Sequence, residues 1–93
     1  MDESNRPYMF ISVSRRDYPA VSDMLEVFVK WEVLKRENCT VDYNSEKEEY
    51  TFDIKDIFWK TAAFIGDMLE AGLGHEIQWI HYQCGEGMGR NEQ

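Results

Sequence analysis

The sequence predicts an α+β fold: a four-stranded antiparallel sheet carrying two helices on one face. Three observations predict it. Residues Tyr8–Ser14 and 48–54 alternate apolar and polar side chains with the period of a strand. Residues 18–34 place Ala20, Met24, Trp31 and Leu34 near one line of a helix, with Val21, Leu25 and Phe28 on the next. Finally, the elements read in the order β-α-β-β-α-β along the chain.

Residues 1–7 are polar and close on Pro7, so a loose lead-in is expected. Strand one follows at Tyr8–Ser14, with Met9, Ile11 and Val13 on one side and Tyr8, Phe10, Ser12 and Ser14 on the other. Asp17 fits an N-cap, and Pro19 is tolerated in the first turn. The apolar spacing carries helix one to about Glu37. Strand two spans 39–43, and the turn at 44–47 leads into strand three at 48–54. Asp53 or Asp56 is the expected cap of helix two. Its stripe is Ile57, Thr61, Phe64, Ile65, Met68 and Leu69, and Gly72 and Gly74 stop it. Residues 75–84 read as strand four, partly covered on both faces, and 85–93, with three glycines in the first five residues and a polar end, are expected to form a mobile tail. One domain over 1–93 is expected. Right-handed crossovers around a central hairpin make this a ferredoxin-like β-α-β-β-α-β sandwich with strand order 4-1-3-2.

Eighteen acids against ten bases give a formal net charge of −8. That charge disfavours direct binding to nucleic acid or to an anionic membrane, and favours a basic partner or simple solubility. Two cysteines, Cys39 and Cys84, make no disulfide framework. In the expected strand order they stand on opposite edges, too far apart to bridge. No basic stretch leading into an apolar run and no run of about twenty apolar residues is present, so a soluble cytoplasmic protein is expected.

The turn Asp17-Tyr18-Pro19-Ala20 resembles the start of helix one in ACT domains, with Ala20 where that pattern has glycine. The resemblance implies a small-ligand regulatory domain, the alternative reading here. Acylphosphatases share the topology, but residues 14–19 contain no glycine to build a phosphate cradle. RNA-recognition motifs need outward aromatics on strands one and three. Strand three instead turns Glu49, Thr51 and Asp53 outward, and its carboxylates repel phosphate. In size and charge the chain is similar to small acidic inhibitors of bacteriophages, such as anti-CRISPR and anti-restriction proteins.

No catalytic set assembles from spacing, so no enzyme activity is expected, and a small enzyme without a readable motif stays as an alternative. His81-x-x-Cys84, with His75 nearby, has metal-like spacing, but positions 81 and 84 of a strand face opposite ways. No metal or other cofactor is therefore expected. Asp42, Glu46, Glu48, Glu49, Asp53 and Asp56 form the densest acidic stretch, against Lys47 and Lys55 only. Tyr8 and Phe10 point to the outer sheet face, and Trp79 or Tyr82 joins them. These acids, with Tyr8, Phe10 and Trp79, are the expected partner-binding residues. The expectation is a non-catalytic protein-binding module that mimics nucleic acid and docks on a basic nucleic-acid-handling protein. The apolar excess on helix one and strand four adds a homodimer, formed through the outer sheet face or helix one.

Overall fold

The computed structural model describes residues 7–83; the expectations for 1–6, for Cys84 and for the tail at 85–93 lie outside them. The elements are β1 (Tyr8–Ser14), α1 (Tyr18–Lys30), a short 3-10 turn (Arg36–Asn38), β2 (Cys39–Asn44), β3 (Glu49–Lys55), α2 (Trp59–Leu73) and β4 (Trp79–Gln83). All three strand pairings are antiparallel, in the order β2-β3-β1-β4. From the other edge this reads 4-1-3-2, and it puts β2 and β4 on opposite edges.

The alternation of β1 decides which face is buried. Met9, Ile11 and Val13 are 1%, 0% and 4% exposed, and Phe52 and Ile54 of β3 pair beside them. Val21, Leu25 and Phe28 of α1 and Ala62, Ile65 and Leu69 of α2 close over the same face. Burying each large aliphatic side chain here contributes about 1.5–3 kcal/mol. Gly66 of α2 faces the sheet with room to spare. A β-carbon there would lie 3.7 Å from Ile80 Cδ1 and 3.8 Å from Met9 Cε.

Helix α1 ends at Lys30, not near Glu37. The Glu32 N–H donates to Val29 O at 3.0 Å and the Val33 N–H to Phe28 O at 2.9 Å, the two bonds of a Schellman motif. Glu32 takes the left-handed conformation that motif needs, at φ 65°. The chain then turns Leu34 back into the core at 6% exposure and leaves Trp31 outside at 68%. Two charged hydrogen bonds pin this connection, from Arg36 to Glu26 at 2.6 and 2.8 Å.

Helix α2 starts later than expected. Asp53 lies inside β3, and Asp56 is a left-handed turn residue at φ 57° whose N–H donates to Pro7 O at 2.8 Å. Phe58 holds the N-cap position without a side-chain cap. The buried face is Ala62, Ile65, Gly66 and Leu69, whereas Phe64 and Met68 of the expected stripe are 48% and 44% exposed. Gly74 closes the helix at φ 82°. Residues 75–78 are a connection rather than the first half of a strand. It is tied down where the Ile77 N–H donates to Glu70 Oε2 at 3.0 Å.

Glu32 and Gly74, the left-handed residues that close the two helices, give opposite expectations. Glu32→Gly is expected to stabilise the fold by about 0.5–1 kcal/mol, because glycine carries no β-carbon penalty there. Gly74→Ala is expected to destabilise it by about 1 kcal/mol. Thermal melts of both variants check this, and two melting temperatures equal to wild type would contradict the backbone geometry at both turns.

Candidate sheet-face interface

The outer face of the sheet carries the side chains that β1 turns away from the helices. Register arranges them in rows. Thr40, Asp53, Phe10 and His81 lie across the four strands in one row, and Asp42, Thr51, Ser12 and Trp79 in the next. Lys55, Tyr8 and Gln83 flank the first row; Asn44, Glu49 and Ser14 flank the second. Both helices contribute their buried residues to the opposite side, so among the described residues no helix covers these rows.

The face divides into two halves. Strands β1 and β4 make an aromatic strip: Tyr8 to Phe10 at 5.0 Å between centroids, Phe10 to His81 at 6.3 Å, and His81 stacked on Trp79 at 5.8 Å. Strands β2 and β3 make a polar and acidic strip from Thr40, Asp42, Glu49, Thr51 and Asp53. Ser12 and Thr51 join the halves through a hydroxyl pair at 3.1 Å. Trp79 is the strand-four aromatic that faces outward. Tyr82 turns inward, and its hydroxyl donates to Ile57 O at 3.2 Å.

The six acids are not gathered in one place. Asp42, Glu49 and Asp53 share the outer face. Glu46 borders a hollow of about 640 Å³ that also contains Phe10, Asp42 and Asp53. Glu48 sits in the turn at φ 55°, with its carboxylate 3.9 Å from Arg15. Asp56 stands beyond the other end of β3.

Asp53 is the most strained of them electrostatically. Its Oδ1 is shielded from solvent and has no hydrogen-bond partner among the described residues. Burial pushes its carboxyl above the usual aspartate range; Lys55 pulls it back and Asp42 pushes it up again. An unmatched acceptor of this kind opposes folding.

A larger groove of about 920 Å³ opens where the face meets the connection into β4. Its walls bring in Asp17, His75 and Glu76, which the spacing of the sequence did not single out as a group. His75 Nε2 lies 3.3 Å from Asp17 Oδ2, and Nδ1 lies 3.0 Å from Glu76 O. The Glu76 carbonyl raises the His75 pKa most; desolvation opposes it, the Asp17 carboxylate adds to the rise, and the Arg16 charge works against it. Both ring nitrogens are engaged, and neither partner is a hydroxyl or thiol nucleophile. Among the described residues, no three His, Cys, Asp or Glu side chains stand close enough to hold a metal ion. Cys39 is a free, half-buried thiol whose pKa burial raises, which makes it a poor nucleophile. No helix among the described residues is long and apolar enough to cross a membrane.

Comparison with family models, with curated proteins and with solved structures gives no match.

The Asp53 environment sets a pH dependence. Because its folded pKa is raised, the folded state holds this proton more tightly than the unfolded chain. Its contribution is therefore lost as pH rises from about 4 through the raised value. Asp53→Asn is expected to stabilise the protein at pH 7 by about 0.5 kcal/mol, discounted for partial solvent screening. Urea denaturation from pH 3.5 to 7 checks it. The gap between variant and wild type should open above about pH 4; a gap independent of pH would contradict the assignment.

Proposed function

We propose that this protein is a non-catalytic binding module of ferredoxin-like architecture that docks its outer sheet face on a basic protein. The observation that carries the proposal is the face itself, an aromatic strip set edge to edge with a carboxylate strip along the Phe10–Asp53 pairing. Aromatic area supplies desolvation energy and the flanking carboxylates supply orientation and association rate. The net charge of −8 selects against acidic partners over a longer range. In its sharper form the partner is a nucleic-acid-handling protein, and Asp42, Glu49 and Asp53 occupy positions on it that phosphates otherwise fill. An inhibitor of the kind made by bacteriophages fits that chemistry.

Capture from host lysate tests the proposal when wild type, Phe10→Asp and a triple Asp42→Asn, Glu49→Gln, Asp53→Asn variant are compared. A basic protein is expected to be held by wild type, lost from both variants and released by raising salt from about 0.05 to 0.5 M. A partner held equally by all three, or insensitive to salt, would overturn the sheet-face assignment.

Val27, Trp31, Phe64 and Met68 are 40%, 68%, 48% and 44% exposed, and Phe28 bridges Trp31 to Phe64 with ring centroids 6.5 and 5.9 Å away. We propose a homodimer through this helical seam, which leaves the sheet face free for the partner. Sedimentation at tens of micromolar is expected to show a dimer that Trp31→Glu converts to a folded monomer. A wild-type monomer throughout that range would remove the dimer.

A further inference from the structure

We propose that the groove at the Ser14 end of the sheet is an arginine pocket, which receives a guanidinium side chain from a basic polypeptide. The inference rests on the docking reading and gives that partner a specific anchor. Its wall is Trp79, 51% exposed and held upright by stacking on His81 at 5.8 Å. The Ser12–Thr51 hydroxyl pair, 3.1 Å apart, also lines it. Three acidic residues, Asp17, Glu49 and Glu76, line it, together with Lys47 and with His75, which adds positive charge where protonated.

The chemistry distinguishes among cations. An indole face beside carboxylates suits a planar cation that stacks and donates several hydrogen bonds at once, which is what guanidinium does. An ammonium is a compact, strongly hydrated charge and gains less from the indole face. The Asp17 side chain is 18% exposed and already fixed by His75 at 3.3 Å, so this acceptor is oriented before a ligand arrives. The volume, about 920 Å³, exceeds one side chain and admits the residues on either side of the arginine. The groove also runs on to the acidic half of the face through Phe10 and Thr51, which line both hollows. An extended basic chain anchored here passes over Asp42 and Asp53, which a free small cation does not.

An NMR titration of the isotope-labelled protein tests this with a capped peptide of alternating glycine and arginine, its lysine counterpart, and N-acetyl-arginine amide. The arginine peptide is expected to move the Trp79 indole N–H and the Asp17 and Glu49 amides, and to bind about fivefold tighter than the lysine peptide. Trp79→Leu is expected to erase that preference while leaving the amide pattern of the helices in place. Equal binding of the two peptides with Trp79 unmoved overturns the arginine pocket; shifts at Phe10, Asp42 and Asp53 in that case leave the docking reading standing. Shifts confined to the groove support the pocket and count against the wider face. Capped arginine binding as tightly as the peptide overturns the assignment to a polypeptide, and no shift with any probe overturns both readings.

Discussion

The burial of one side of β1 is the interaction on which the rest depends. Met9, Ile11 and Val13 meet both helices, and the strand lies between β3 and β4. A strand has only two faces, so fixing these three side chains inward fixes Tyr8, Phe10, Ser12 and Ser14 outward. The register then carries the same choice across β3 to β2, and across to β4. A slip of one residue would bury Asp53 and Glu49 and expose Ile54 and Phe52, a change that no local rearrangement repairs.

That constraint gives the molecule two different sides. The helical side is apolar and buries Val21, Leu25, Phe28, Ala62, Ile65 and Leu69 in the core, while Val27, Trp31, Phe64 and Met68 are among the large apolar side chains left exposed. The sheet side is mixed, and some of its groups are poorly matched within the chain. Asp53 keeps an oxygen beside Asp42 that no hydrogen bond meets among the described residues, and Trp79 offers half its surface to solvent. Groups that oppose folding slightly and stand together on a face that no helix of the described residues covers are better matched by a partner carrying donors and positive charge.

Much of the architecture is legible in the sequence because alternation and helical spacing follow directly from burial. The buried side of β1, the outward turn of Glu49, Thr51 and Asp53, and the stop at Gly74 are all readable that way. The end of α1 is not, because Glu32 fills a position that glycine usually marks and Leu34 returns to the core after the helix has closed. The face of α2 is misjudged for a different reason: the buried line includes the small residues Ala62 and Gly66, so ranking residues by bulk selects Phe64 and Met68 instead. Of the interface, Tyr8, Phe10 and the β3 carboxylates follow from parity alone. The Asp17–His75 pair does not, since it depends on where α1 and the connection into β4 meet in space. His81 was within reach: an antiparallel β1–β4 pairing sets it beside Phe10 once Trp79 is assigned outward.

Hydroxyl-radical footprinting of the protein alone and with its captured partner tests the central claim most directly. Tyr8, Phe10 and Trp79 should be labelled in the free protein and protected in the complex, while Trp31, Phe64 and Met68 keep the labelling they show without the partner. Protection at Trp31, Phe64 and Met68 with the sheet-face aromatics unchanged would contradict the account, and so would a free protein in which Tyr8, Phe10 and Trp79 resist labelling from the start.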